Sequence, residues 1–125
     1  VSKKKILLVD DEPALTRMLR LNLEQTGRFE VREENHGSQA LRVVREFRPD
    51  LVFLDVMMPD IGGDEVAEQL KQDPALSGVR YAFLTAIVTK RETGAGAAEI
   101  SGETFLAKPV KREELLAVVD ELLGA

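Results

Sequence analysis

Several short apolar runs in this chain end on a side chain able to do chemistry. Ile6-Leu7-Leu8-Val9 is followed by Asp10 and Asp11, Leu51-Val52-Phe53-Leu54 by Asp55, Ala82-Phe83-Leu84 by Thr85, and Phe105-Leu106-Ala107 by Lys108. A carboxylate where an apolar strand runs out serves no packing purpose, so the repeated placement points to a shared site. Three carboxylates in one crevice repel one another, and a hard divalent cation offsets that repulsion. Mg2+ takes oxygen ligands and usually combines one or two carboxylates with phosphate oxygens and water. Asp11 and Asp55 are the expected direct ligands, with Asp10 acting through water. The main-chain carbonyl of Met57 is expected to add a ligand, because the chain must turn just after Asp55. An ion beside a phosphoryl donor polarises its oxygens, and a nearby carboxylate can serve as the nucleophile. The expected chemistry is attack by Asp55 on phosphorus to form an aspartyl phosphate. Lys108 would neutralise oxygens on one side, and Thr85 would donate its hydroxyl to another. Positioning and charge compensation are what phosphoryl transfer chiefly asks of a protein.

Taken singly, each residue has a plainer explanation. Asp11 suits a helix cap ahead of Leu15, Thr85 suits a strand or a cap, and Lys108 suits a solvated surface. Caps do not account for a lysine at another strand end, so the conjunction carries the inference. The sole histidine, His36, lies beside Gly37 and reads as part of a solvated turn. Tyr81 and Met18 read as local packing. Gly62-Gly63 reads as a release of the loop after Pro59, since no Gly-rich phosphate fingerprint surrounds it.

The elements that must position these groups alternate. Strands are expected at Lys5 to Val9, Glu30 to Arg32, Leu51 to Leu54, Arg80 to Leu84 and Thr104 to Leu106. Between them, apolar residues recur every three or four positions: Leu15, Leu19 and Leu23; Ala40, Val44 and Phe47; Val66 and Leu70; Leu115, Val119 and Leu122. That spacing gives each helix one buried stripe. Gly27, Pro49 and Pro74 mark helix ends. A further helix is expected within Thr89 to Ser101, because adjacent parallel strands require a crossover. Gly94 and Gly96 make it a poor one, each costing roughly 1 kcal/mol against Ala in a helix interior. The alternation is that of a parallel sheet covered on both faces, whose ligand crevice lies outside the carboxyl ends of its strands. If the first and third strands are central neighbours, Asp10, Asp11 and Asp55 converge there and Thr85 and Lys108 flank them.

Composition narrows the function classes. The 125 residues suit one domain, taken as residues 1–125, and 44% apolar with 31% charged content is that of a globular chain. There is no Cys, hence no disulfide framework or thiolate chemistry. The formal charge of -5 gives no general attraction to a phosphate backbone, so direct nucleic-acid binding is not expected. Apolar runs fall short of the roughly 20 residues of a membrane span. Val1-Ser2-Lys3-Lys4-Lys5 leads into a strand, so a cytoplasmic location without membrane contact is expected.

The runs Ile6-Leu7-Leu8-Val9-Asp10-Asp11-Glu12, Leu54-Asp55-Val56-Met57-Met58-Pro59-Asp60-Ile61-Gly62-Gly63, Leu84-Thr85-Ala86 and Phe105-Leu106-Ala107-Lys108-Pro109-Val110 resemble the receiver domains of bacterial two-component response regulators. The similarity covers nearly the whole chain. It implies a doubly wound, flavodoxin-like sheet of five parallel strands in the order 2-1-3-4-5 with about five helices. It also implies Asp55 as phosphoacceptor, Asp10 and Asp11 as the acidic Mg2+ site, and Thr85 and Lys108 as phosphate-sensing groups. The donor it implies is a phosphohistidine on a sensor histidine kinase or histidine phosphotransfer domain, and a homodimer is compatible with it. A cis Lys108-Pro109 bond follows the same pattern. So does a switch in which Thr85 moves toward the phosphoryl group and Phe105 turns inward behind it. Lacking a hydroxyl, Phe105 would signal through packing alone.

Two departures stand out. Where the resembling family often places an acidic turn before the fifth-strand aromatic, this chain has Ile100-Ser101-Gly102-Glu103-Thr104-Phe105, which together with Gly94-Ala95-Gly96 makes the output face unusual. Met57 and Ile87, each two residues beyond Asp55 and Thr85, stand at positions that in the resembling family flank the phosphate and affect attacking water; their apolar side chains offer no group to position it, so slow self-dephosphorylation is expected. The same residues also admit a Mg2+-dependent phosphatase, an interaction module that is never phosphorylated, or a flavin carrier. The first lacks a water-activating group, the second leaves the acidic cluster without a purpose, and the third lacks a phosphate loop and aromatics.

Overall fold

The computed structural model describes residues 3–86, 97–100 and 102–124. Along the chain run β1 (Lys4–Val9), α1 (Pro13–Glu24), β2 (Phe29–Glu34), a single 3-10 turn (Gly37–Gln39), α2 (Ala40–Phe47), β3 (Leu51–Asp55), α3 (Gly63–Gln72), β4 (Arg80–Thr85), β5 (Ala97–Ile100), β6 (Glu103–Ala107) and α4 (Arg112–Leu123). The sheet order is β2-β1-β3-β4-β6-β5. Its parallel part, β2-β1-β3-β4-β6, is the expected 2-1-3-4-5 arrangement with β6 as the fifth expected strand.

Successive side chains of a strand point to opposite faces, and both faces here are apolar. Ile6, Leu8, Phe53 and Leu84 pack against Leu19 and Leu23 of α1 and Leu115 and Val119 of α4. Leu7, Val9, Val52, Leu54 and Phe83 pack against Val44 and Phe47 of α2 and Val66 and Leu70 of α3. The central runs are therefore apolar at every position rather than at alternate ones. At roughly 1.5–3 kcal/mol per fully buried large apolar side chain, this double-sided burial is what fixes the strands in register. Helix α2 stops at Phe47, where Arg48 takes a left-handed backbone (φ 54) ahead of Pro49.

The segment before β6 departs from expectation. Of the helix expected within Thr89 to Ser101, residues 89–96 and 101 lie outside the described residues, and residues 97–100 form a strand. That strand, β5, runs antiparallel to β6 with Ile100 opposite Glu103, so the sheet has a sixth strand at its edge. Gly102 has φ +81, a conformation open to glycine and costly for other residues, which suits a tight hairpin. The crossover assumption outweighed that turn signal in the sequence. Four α-helices stand among the described residues, against about five expected.

The register brings the functional strand ends level. Val9 lies opposite Leu54, Asp55 opposite Leu84, and Thr85 opposite Ala107. The direction of chain crossover reverses between β1 and β3, so the crevice of this open sheet falls beside the end of these two strands.

Candidate functional site

Asp55 is the last residue of β3, Asp10 follows β1, Thr85 ends β4 and Lys108 follows β6. The structure brings all four together with Asp11. Asp10, Asp55 and Thr85 are buried, while Asp11 opens to solvent. A carboxylate oxygen from each of Asp10, Asp11 and Asp55 lies within 4.8 Å of the others. Asp11, Glu12, Asp55, Met57, Thr85, Ala86 and Lys108 line a cleft of about 380 Å³ at this end of the sheet.

Lys108 sits among the carboxylates. Its Nζ is 2.8 Å from Asp10 Oδ2, 3.4 Å from Asp55 Oδ1 and 3.3 Å from Glu12 Oε1. Glu12 was not assigned a role from sequence, although the unbroken acidic run Asp10-Asp11-Glu12 carried the signal. The Lys108-Pro109 bond is cis, and Lys108 N–H donates to the Thr85 carbonyl at 2.9 Å. Asp10 Oδ1 accepts from Glu12 N–H at 2.9 Å, and Asp55 Oδ1 accepts from Met57 N–H at 3.3 Å. Asp10 Oδ2 is wholly buried and faces the Lys108 ammonium at 2.8 Å, a charge-assisted contact.

These surroundings set the charges. Burial, and next the Asp10 carboxylate, push the Asp55 carboxyl up to about 6 despite the opposing pull of Lys108. Burial also raises Asp10, against the hydrogen bonds and charge that favour its ionised form. Burial alone would lower the Lys108 ammonium, but the carboxylates of Asp10, Asp55 and Glu12 outweigh it and hold the group above its ordinary value. Among the described residues the cluster thus has one ammonium for two buried carboxylates, Asp10 and Asp55, with Asp11 and Glu12 beside them at the surface. An all-oxygen donor set whose carboxylates outnumber the ammonium beside them fits a hard divalent cation, and the three Asp side chains are spaced to share one.

The loop after Asp55 is held close. A Cβ on Gly63 would lie 2.3 Å from the Asp55 carbonyl oxygen, so glycine there lets α3 start directly against the end of β3. Asp60 accepts from Ser38 N–H at 2.8 Å, and these hydrogen bonds hold its carboxyl down at about 2. Met57 is 68% exposed at the cleft mouth and presents only a thioether to it. Its expected partner in flanking the acceptor, Ile87, lies outside the described residues. Phe105 is half-buried, its ring 5.1 Å from that of Phe83. His36 is an exposed residue beside Glu34, away from the cleft, and Tyr81 packs on Phe83.

Residues 6–120 match the family model for the response regulator receiver domain. The chain is 41% identical over 117 residues to the DNA-binding response regulator MtrA of Mycolicibacterium smegmatis, covering 94% of this chain and 49% of that protein. Among solved structures, the receiver domain of a signal transduction histidine kinase from Syntrophus aciditrophicus is 30% identical with a TM-score of 0.79, covering 97% of this chain and 90% of that one. The chemotaxis response regulator CheY4 of Vibrio cholerae is 26% identical with a TM-score of 0.80, covering 97% and 99%. The chain spans about half the length of the curated relatives it matches. With this fold, an acidic triad at the strand ends and the family match across nearly its whole length, the chain belongs to the receiver domains of two-component response regulators.

Proposed function

We propose that Asp55 accepts a phosphoryl group from a phosphohistidine of a sensor histidine kinase or histidine phosphotransfer domain. The observation that carries this reading is the meeting of three carboxylates and one lysine ammonium around the end of β3. Asp10, Asp11, Asp55 and the Met57 carbonyl would hold Mg2+, which supplies charge neutralisation and orientation for the phosphoryl oxygens. In the transfer an Asp55 oxygen bonds to phosphorus as the phosphorus–nitrogen bond of the donor breaks. The electron pair of that bond leaves with the imidazole, which takes up a proton. Lys108 already stands 3.4 Å from Asp55 Oδ1, where its ammonium meets the charge gained by the acceptor.

Thr85 lines the same cleft and reads the new group through its hydroxyl. Phe105, on the strand paired with β4 at Thr85, follows by repacking against Phe83. The modification biases this pair between two packings rather than creating a new hydrogen bond at Phe105. With the Met57 side chain presenting no acid, base or amide to an attacking water, the acyl phosphate is expected to hydrolyse slowly. Because curated relatives of about twice this length are DNA-binding response regulators, a DNA-binding output elsewhere in the polypeptide is the target we propose for the altered surface.

Intact mass after exposure to a small acyl-phosphate donor tests the acceptor. An adduct of about 80 Da is expected with Mg2+, and none in Asp55→Asn. An equal adduct in the variant, or none in folded wild type, would reject Asp55 as the site.

A further inference from the structure

A second polar cluster lies under the acidic turn and has no part in the chemistry above. Thr16 on α1 is completely buried, which is unusual for a hydroxyl on a helix face otherwise occupied by leucines. The Asn35 side-chain amide donates one N–H to the Asp10 carbonyl oxygen at 2.7 Å and another to Thr16 Oγ1 at 3.0 Å. The Thr16 hydroxyl has two acceptors in reach, Glu33 Oε1 at 2.7 Å and the Pro13 carbonyl at 3.1 Å. The shorter contact, to a carboxylate, is the stronger. Glu33 is in turn approached by Arg20 at 3.5 Å. Donors therefore run in one direction, from Asn35 through Thr16 to Glu33.

This chain of bonds grips the backbone of a candidate metal ligand. The Asp10 N–H is bonded to the Glu34 carbonyl at 3.2 Å, its carbonyl to Asn35, and its Oδ1 to Glu12 N–H. Every polar group of Asp10 is thereby directed except Oδ2, the buried oxygen that faces Lys108. An oxygen held this way can turn toward a cation only as far as Asn35 and its partners allow.

We infer that Asn35 and Thr16 are positioning residues that set divalent-cation affinity by fixing the Asp10–Asp11 turn. The inference rests on the reading of the acidic triad as a cation site. Hydrogen-bond partners one step removed from metal ligands typically govern affinity by about 10–100-fold. Charge alone makes the opposite prediction for one substitution. Asn35→Asp adds a carboxylate near the triad, which would tighten cation binding if only the field mattered, yet it replaces the donor to the Asp10 carbonyl with an acceptor.

Mg2+ titration of the unphosphorylated protein, followed by calorimetry and by the amide signals of Asp11 and Met57, tests this, with thermal unfolding as a control for folding. Asn35→Asp and Thr16→Val are each expected to weaken Mg2+ binding by about 10-fold, while Thr16→Ser restores affinity to within about 2-fold of wild type. Equal or tighter binding by Asn35→Asp would overturn the inference, as would a Thr16→Val protein that loses stability but not affinity. Should Asn35→Asp fail to fold, the Thr16→Val and Thr16→Ser pair decides the matter alone. Wild type that binds no Mg2+ would overturn the cation reading itself and this inference with it, an outcome distinct from equal binding across the series.

Discussion

Replacing Asp55 with asparagine is expected to stabilise the metal-free fold while abolishing phosphoryl acceptance. The reason is the cost of keeping this carboxylate ionised beside Asp10 in a buried site. Raising a carboxyl from 3.8 to about 6 corresponds to about 3 kcal/mol of ionisation cost in the folded state at neutral pH, at ~1.4 kcal/mol per pH unit. Part of this is returned, because Lys108 at 3.4 Å loses a partner in the variant. A net gain of about 1–2 kcal/mol remains, with the amide oxygen still able to accept from Met57 N–H. For a domain of 125 residues that is an increase of about 4–8 °C in melting temperature.

The sign with pH distinguishes this cause from better packing. The folded carboxyl holds its proton up to about pH 6 and the unfolded one only to about 3.8, so between these values the folded state binds more protons. Wild type therefore loses stability as pH rises through that window, and asparagine does not share the loss. Thermal unfolding in EDTA, followed by circular dichroism, should show the variant ahead at about pH 7.5 and the gap closing toward about pH 4.5. Saturating Mg2+ should narrow or reverse the gap at neutral pH, since ligation favours the folded wild type. A variant no more stable than wild type at neutral pH, or a gap that persists into acid, would refute the electrostatic account.

Other substitutions probe the remaining parts of the site. Lys108→Met removes the one ammonium paired with Asp10 and is expected to cost about 2–3 kcal/mol in EDTA, by urea midpoint, with most of it recovered in Mg2+; a deficit unmoved by the cation would assign Lys108 to packing. Gly63→Ala places a methyl against the Asp55 carbonyl and should destabilise by about 1–3 kcal/mol and shift the Asp55 amide signal. Gly78→Ala, with open space around the added carbon, should stay within about 0.5 kcal/mol and serves as the control. Thr85→Val should still take the phosphoryl group but lose the amide shifts at Phe105 that accompany it; retained shifts at Phe105 would remove Thr85 from the switch.

The parallel strands were legible because each is buried on both faces and so reads as an unbroken apolar run closed by a polar residue. The observed bounds differ from the expected ones by two residues or fewer, as in β2, which extends from Glu30 and Arg32 to Phe29 and Glu34. Helical stripes were equally plain, with Leu19, Leu23, Val44, Phe47, Val66, Leu70, Leu115 and Val119 all buried. Strand β5 was not, because Ala97-Ala98-Glu99-Ile100 has no strand composition of its own and owes its conformation to antiparallel pairing with β6. The acidic run, Thr85 and Lys108 were found from position at strand ends. Thr16 and Asn35 were not, since a single Thr within a leucine-rich helix and an Asn after a strand acquire meaning only when the fold brings residues nineteen apart to 3.0 Å.

The convergence of charge at the strand ends follows from rigidity more than from attraction. Asp10 and Asp55 raise each other's cost of ionisation, and a flexible loop would relieve this by moving them apart. Here Asp55 belongs to β3, Asp10 is bonded through its N–H to β2, and the residues before both are wholly buried on both faces of the sheet. Moving either carboxylate away means breaking that packing, which costs several kcal/mol per displaced side chain. The strain is thus left with few ways out: a proton on Asp55, a closer lysine, or a cation between the carboxylates. On the proposed reading, phosphorylation adds charge at the same rigid point, and the switch proposed for Thr85 and Phe105 would carry its effect along the adjoining strands, where Thr85 lines the cleft and Phe105 lies on the strand paired with β4.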